Sequence, residues 1–340
     1  MSAVCDTNPD IAKGVATSLG VPSIFSSISD MLARDRPDII DICTQPQVHK
    51  DIAIQAMEAG CNVLVEKPMA ISVGDCEEMI RCSEKNGVKL AVVHNQKFYP
   101  PFLKAQQLIK NGEIGKVTGV RILNFTHKKA YTQKKEHWVH QLPGGVMAES
   151  GPHAVYMSIP FIGNVLGVNV QARKTQAYPW VSFDTFSVQL EGASSSSDMT
   201  ISHAGDYFST EVDIFGSEAM IRMDLQSMLL DLQKRKSLSY SSLVESSLKT
   251  SRRIAFGVFS NALSSTMGKT FLGHDVIVKK FVKCIIDDSP PPVSGKEGME
   301  TVSVMERIVS QCRDTTGREG NFDPTTTIEL DTISLAPTKD

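Results

Sequence analysis

With 340 residues the chain is too long for one small core, and two units of roughly 100 to 200 residues each are the natural division. Hydrophobic residues at 41% and charged residues at 21% describe an ordinary globular protein. A net charge of -3 and a pI near 6.3 give no electrostatic reason to expect nucleic acid or a membrane surface as partner, which leaves a small molecule.

The N-terminal stretch alternates strand and helix. Ala3 to Cys5 reads as a strand fragment ending in Asp6, Thr7 to Asp10 as a turn, and Ile11 to Leu19 as a helix stopped by Gly20. Asp38 to Cys43 is a second buried strand, bounded by Pro37 and by Thr44-Gln45-Pro46. From Val48 the apolar spacing becomes helical, with Ile52, Ala56 and Ala59 on one face and Gly60 as the stop. Asn62 to Val65 is the third strand and runs into Glu66-Lys67-Pro68. Ser72, with Asp75 three residues on, caps the next helix, which Gly87 ends before the fourth strand, Leu90 to Val93.

This alternation predicts a parallel, doubly wound sheet, whose ligands collect beyond the carboxyl ends of the strands. The residues at those ends are Asp6, Thr44 with His49 just after, Glu66 with Lys67, and His94 with Asn95. A ligand site and solvated loop polarity both account for such endings, but four in succession favour the site. Asp6 has a sharper meaning, since an acidic residue ending the second strand of a dinucleotide-binding fold bonds the ribose hydroxyl of NAD and repels the extra phosphate of NADP; a turn or helix-cap aspartate is its other explanation. The strand and G-x-G-x-x-G loop that precede such an aspartate are absent, and the motif occurs nowhere else. Two expectations follow: the sequence starts late relative to the functional gene product, or the diphosphate cradle is lost.

The quoted residues resemble the glucose-fructose oxidoreductase, inositol dehydrogenase and MocA family. The similar stretches are Ala-Val-Cys-Asp at 3 to 6, Pro-Asp-Ile-Ile-Asp-Ile-Cys-Thr at 37 to 44 with Pro46 and His49, and Ala-Gly-Cys-Asn-Val-Leu-Val-Glu-Lys-Pro at 59 to 68. They continue through His94-Asn95-Gln96-Lys97-Phe98 with Pro100, Gly112-Glu113-Ile114-Gly115, and Gly144-Gly145 through His153. The resemblance implies a Rossmann domain for NAD, with NADP as the alternative, then a domain on an open, mainly antiparallel sheet that carries substrate residues and often mediates oligomers. It implies that Lys67 lies at nicotinamide and substrate, that Thr44, Pro46 and His49 line the cofactor side with Asp6, Glu66 and Asn95, and that the family's Asp-x-x-x-His becomes Glu149 and His153. Departures are the missing Gly-rich loop, Glu149 in place of aspartate, Tyr156 where an acidic residue often follows the histidine, and Lys97 where arginine is common.

The second half begins with a helix from Phe102 to Lys110 and a strand from Lys116 to Phe125, whose alternation predicts antiparallel sheet with one wet face. Lys128, Lys129, Lys134 and Lys135 flank Tyr131 and His137-Trp138; a solvated basic loop and a loop that meets an anionic substrate group both fit. Gly144-Gly145 opens a helix on which Glu149 and His153 share a face. Val168 to Arg173, Phe183 to Leu190, Met199 to His203, Glu211 to Gly216 and Ile221 to Leu225 are further strands. Residues 226 to 272 read as a lid, an oligomer contact or a mobile loop. Helices at Val276 to Ile286 and Gly298 to Cys312 follow, and the polar stretch 313–340 is expected to be flexible. The domains are thus expected at 1–98, Rossmann-like with its first βα unit missing, and 99–312, an α+β substrate and oligomer domain.

The mechanism expected from the resemblance and from these residues is hydride transfer between nicotinamide and a carbinol carbon of a sugar, inositol or related polyol. His153 is the base, Glu149 orients it, Lys67 stabilises developing alkoxide, Glu66 holds Lys67, and Lys97 and Trp138 meet substrate. The alternatives are a non-redox sugar- or nucleotide-binding regulator of the same fold, or a hydrolase or lyase using bound NAD transiently. Seven cysteines without a C-x-x-C pair, no signal peptide and no apolar run of membrane-spanning length predict a cytoplasmic protein without a metal site, and the resemblance implies a homo-oligomer, a dimer or tetramer.

Overall fold

The computed structural model describes residues 1–234, 237, 239–266 and 273–312. Its first part runs β1 (Ala3–Cys5), α1 (Pro9–Leu19), β2 (Ser23–Phe25), α2 (Ile28–Asp35), β3 (Ile39–Ile42), α3 (His49–Glu58), β4 (Asn62–Val65), α4 (Val73–Asn86) and β5 (Leu90–Val92). Helix starts follow local chemistry. Asn8, Ser27 and Ser72 each accept a backbone N–H of the first turn of α1, α2 and α4, supplying acceptors that the helix itself lacks there. Gly87 closes α4 at φ 64°, a left-handed conformation that costs glycine nothing.

All five strands are parallel, in two groups: β1 with β2, and β3-β4-β5 in that order. Among the described residues no pairing joins β1 to β3. The structure adds β2 and α2 between Leu19 and Pro37, where the sequence suggests no element. A three-residue strand is too short to show a period. Val63, Leu64 and Val65 of β4 are buried together with Ala53, Ala56 and Met57 of α3 and Cys76 and Met79 of α4. This near-continuous apolar β4 is what a strand covered on both faces requires.

The second part runs α5 (Pro100–Lys110), β6 (Val117–Phe125), α6 (Val146–Ile162), β7 (Val165–Arg173), β8 (Thr185–Gly192), β9 (Ser196–Ser202), β10 (Ser209–Gly216), β11 (Met220–Asp224) and β12 (Leu229–Gln233). Its seven strands form one sheet in the order β12-β11-β10-β6-β9-β8-β7, antiparallel except where β6 lies beside β9. Val120 and Ile122, Phe186, Val188 and Leu190, and Val212 and Ile214 are buried, whereas Arg121, Ser187 and Gln189 between them are exposed. One sheet face therefore packs into a core, and α6 lies against it.

The stretch 226–272 holds β12 and a long helix, α7 (Tyr240–Thr266), where the sequence suggests a lid, an oligomer contact or a mobile loop with amphipathic pieces around Ile254 to Leu263. Serines, poor helix formers that compete for backbone hydrogen bonds, blur its period. Thr250 and Arg253 of α7 fasten it to Asp231 of β12 at 2.9 Å and 2.7 Å. The chain then forms α8 (His274–Ile286) and α9 (Gly295–Ser310). Although the expected boundaries place α8 in the second domain, its Ile277, Phe281 and Cys284 sit in the core of the first. α9 starts three residues before Gly298 because Ser294 and Glu297 make a complete capping box. The expected flexible tail, 313–340, lies outside the described residues.

Candidate active site

β4 delivers Glu66, Lys67 and Pro68 at its carboxyl end, and the Lys67-Pro68 peptide is cis. The Lys67 ammonium donates to Glu149 Oε1 at 2.7 Å and to the Glu149 main-chain oxygen at 3.0 Å. A strand end of the first core is thereby tied to α6 of the second. The two side chains are only 10% and 18% exposed, so the pair is charge-assisted and screened little by solvent. Tyr131, from the loop after β6, donates its hydroxyl to the same carboxylate oxygen at 3.4 Å. Burial, reinforced by the charge of Glu149, pushes the Tyr131 phenol pKa up and keeps it a donor.

One turn further along α6, His153 is oriented by a different group. Its Nδ1 lies 2.6 Å from the Tyr156 hydroxyl. That hydroxyl donates to Asn95 Oδ1 at 3.2 Å and accepts the Gln96 N–H at 3.2 Å. Tyr156 also stacks on His94, with ring centroids 4.2 Å apart. Burial holds the His153 pKa well below the ordinary histidine value, and nearby Lys67, His94 and His274 lower it further. The imidazole is neutral near pH 7 and able to take a proton.

Two sequence expectations are corrected here. Glu149 serves Lys67 and Tyr131 rather than orienting His153, because the ammonium is the stronger partner for the carboxylate. Glu66 does not hold the Lys67 amine: its Oε2 accepts the Lys67 backbone N–H at 3.2 Å, and its Oε1 faces His274 Nε2 at 3.4 Å.

The remaining candidates fall into two groups. His49 is fully buried, with Nδ1 3.0 Å from the Pro68 oxygen and Nε2 3.0 Å from the Thr44 oxygen. It braces the loops after β3 and β4 against each other. Pro46 opens the short turn 46–48 between Thr44 and α3 and is buried. Asn95 is buried in the Tyr156 network. Asp6 stands at the end of β1, where its Oδ1 accepts the Asn8 N–H at 2.7 Å. Lys97 is engaged by Glu297 of α9 at 2.9 Å, and Trp138 packs at the edge of the second core with its ring 5.3 Å from His137. Neither Lys97 nor Trp138 is bonded to the Lys67–Glu149 pair.

Tyr131 and Tyr156 are site residues that the sequence reading does not select. Tyr156 follows His153 at the spacing that puts two side chains on one helix face, which is a usable signal; Tyr131 lies in an aperiodic lysine-rich loop and offers none. His203 belongs beside them. It is fully buried, its ring lies 5.6 Å from Tyr131, neither ring nitrogen has a hydrogen-bond partner among the described residues, and burial lowers its pKa to about 4.

The strand ends fit the reactive half of a dinucleotide. The loops that follow β3, β4 and β5, carrying Thr44, Lys67 and Asn95, leave adjacent parallel strands at their carboxyl ends, the edge where such a sheet holds its ligand; Gln47 Oε1, His94 Nδ1 and Gln96 Oε1 in the first and last of them are buried with no hydrogen-bond partner among the described residues. A diphosphate cradle of the G-x-G-x-x-G type is not in the sequence. Among the described residues no group of three or more His, Cys, Asp or Glu is placed to hold a metal ion. None of the described helices is long and apolar enough to cross a membrane.

Residues 1–94 match the family described as an oxidoreductase family with an NAD-binding Rossmann fold, and residues 102–222 match the GFO/IDH/MocA C-terminal domain. The chain belongs to the GFO/IDH/MocA oxidoreductase family. Its relatives in this family include 1-carboxy-3-chloro-3,4-dihydroxycyclohexa-1,5-diene dehydrogenase of Comamonas testosteroni, 30% identical over 44% of this chain and 38% of that one. D-glucoside 3-dehydrogenase of Escherichia coli is 30% identical over 34% of this chain and 33% of its own. The chain thus spans about a third of the length of these relatives. A solved structure, the WlbA dehydrogenase from Bordetella pertussis in complex with NADH and UDP-GlcNAcA, superposes with a TM-score of 0.75 over 92% of this chain and 87% of that one, at 21% identity. At that identity the likeness is one of fold.

Proposed function

We propose that this chain transfers a hydride between NAD and a carbinol carbon of a sugar, inositol or related polyol. The observation that carries the proposal is the pairing of Lys67, held by Glu149 at the carboxyl end of β4, with a neutral His153 one turn along the same helix. NAD, when bound, supplies the hydride acceptor. Lys67 has three N–H donors, of which Glu149 takes two, and the third is directed to the substrate oxygen. His153 receives the hydroxyl proton as the carbinol is oxidised, and the fixed ammonium stabilises the negative charge that grows on that oxygen. Asp6 at the end of β1 favours NAD over NADP. The glucoside named for the Escherichia coli relative and the sugar nucleotide in the Bordetella pertussis complex support a sugar as substrate class.

The division into units at 1–98 and 99–312, a cytoplasmic location and a dimer or tetramer belong to the same proposal. Its test is the appearance of reduced nicotinamide when purified protein, NAD and a panel of sugars and inositols are mixed. Net reduction with one of them supports a dehydrogenase. Binding without net reduction points to a regulator, and a chemically changed sugar with no net reduction points to a lyase or hydrolase that uses NAD transiently.

A further inference from the structure

We propose that Tyr156 and Asn95 form a positioning pair that fixes His153 in the tautomer with the proton on Nδ1, leaving Nε2 as the base. The kinetic consequences rest on the dehydrogenase proposal; the tautomer itself does not.

The assignment follows from counting protons around one oxygen. A phenol has a single hydrogen to donate and can accept others. Three groups surround the Tyr156 hydroxyl: the Gln96 N–H, which can only donate, Asn95 Oδ1, which can only accept, and His153 Nδ1, which can do either. The orientation of Asn95 is read from the geometry, in which Oδ1 and not the amide nitrogen lies 3.2 Å from the Tyr156 hydroxyl, while the same side chain also bonds the Tyr99 phenol. The oxygen thus serves Tyr156, which leaves the amide nitrogen as a donor for Tyr99.

With the Tyr156 proton on Asn95 Oδ1, His153 must donate from Nδ1, and every polar atom of the trio is satisfied. With the Tyr156 proton on His153 instead, two oxygens face each other at 3.2 Å without a hydrogen between them, in a site where Tyr156 is 2% exposed. An unsatisfied contact of that kind is costly when buried. The first arrangement is the one that persists. It leaves Nε2 as a lone pair, and after Nε2 takes a substrate proton the Nδ1–H bond to Tyr156 is unchanged. A neutral phenol oxygen supports the imidazolium less than a carboxylate would, which agrees with a base that is neutral in the resting site. The network also spans the two cores, since Asn95 and Gln96 follow β5 while Tyr156 and His153 lie on α6.

The test is nitrogen-15 NMR of histidine side chains in the whole protein, with the His153 signals assigned by their loss in His153→Gln. The expected wild-type pattern is a protonated Nδ1 and an unprotonated Nε2. Asn95→Ala removes the acceptor for the Tyr156 proton and is expected to move His153 toward the Nε2–H form; Tyr156→Phe is expected to leave a mixture of tautomers. In both, kcat is expected to fall at least about tenfold, with KM changed less, because a base carrying its proton on the wrong nitrogen cannot accept another. An Nε2–H wild type, or the same tautomer in all three folded proteins, overturns the assignment. An Nδ1–H wild type that turns over no polyol upholds the tautomer and counts against the dehydrogenase proposal instead.

Discussion

Replacing Glu149 by glutamine separates what the structure says from what motif spacing suggests. The substitution keeps an oxygen acceptor and the main-chain contact to Lys67 but removes the negative charge 2.7 Å from the ammonium. Breaking a fully buried ion pair from one side costs about 3–5 kcal/mol. Here the side chains are 10% and 18% exposed and the 3.0 Å bond to the main-chain oxygen survives, so the expected loss is nearer ~2 kcal/mol. Urea unfolding with matched slopes reads this as a lowered midpoint. In turnover, kcat is expected to drop at least about tenfold because the ammonium is no longer fixed, while the fall in kcat at low pH that protonation of His153 causes, the acid limb, stays in place, since Tyr156 and not Glu149 holds the imidazole. A variant with wild-type midpoint and kcat, or one whose acid limb moves while Lys67-dependent binding is intact, would refute the reasoning.

Further predictions concern the surroundings of the site. The His203 pKa is about 4 in the fold against 6.5 for an ordinary histidine. Between those values the unfolded chain binds a proton that the folded chain refuses, so stability is unaffected above pH 6.5 and lost as pH falls from there toward 4; at pH 5 the loss is ~2 kcal/mol. His203→Phe, which also removes two unpartnered ring nitrogens, is expected to shrink the difference between midpoints at pH 7 and pH 5 by about that amount; an unchanged difference counts against it. Ser294→Ala removes the cap of α9 and should lower stability by about 1 kcal/mol, measured by the same unfolding curves, with no loss meaning that the capping box is not formed in solution.

Much of the architecture is legible in the residues. β4 shows itself as a short apolar run between Gly60 and Glu66, and Ser72 and Gly87 bracket α4 because capping chemistry is local. β2 does not, since three residues carry no period, and α7 does not, since its serines mask the one face that packs on β12. The parallel pairing of β6 with β9 is a long-range choice with no local signature. At the site, Lys67 and His153 stand out because strand ends and helix spacing point to them. Their partners do not, because the spacing that sets Glu149 and His153 on one face of α6 holds no information about Lys67 arriving from another core to claim the carboxylate. Tyr156 occupies the histidine that Glu149 leaves, and only the count of protons around its hydroxyl shows what it does there.

The central claim is that Lys67 and His153 together act on the carbinol of a bound polyol. Steady-state oxidation of a sugar or inositol that the wild-type protein turns over, measured for Lys67→Ala and His153→Ala with folding checked by circular dichroism, tests it most directly. The expected result is a fall in kcat/KM of at least ~100-fold in each variant. Near-wild-type turnover in both would contradict the account.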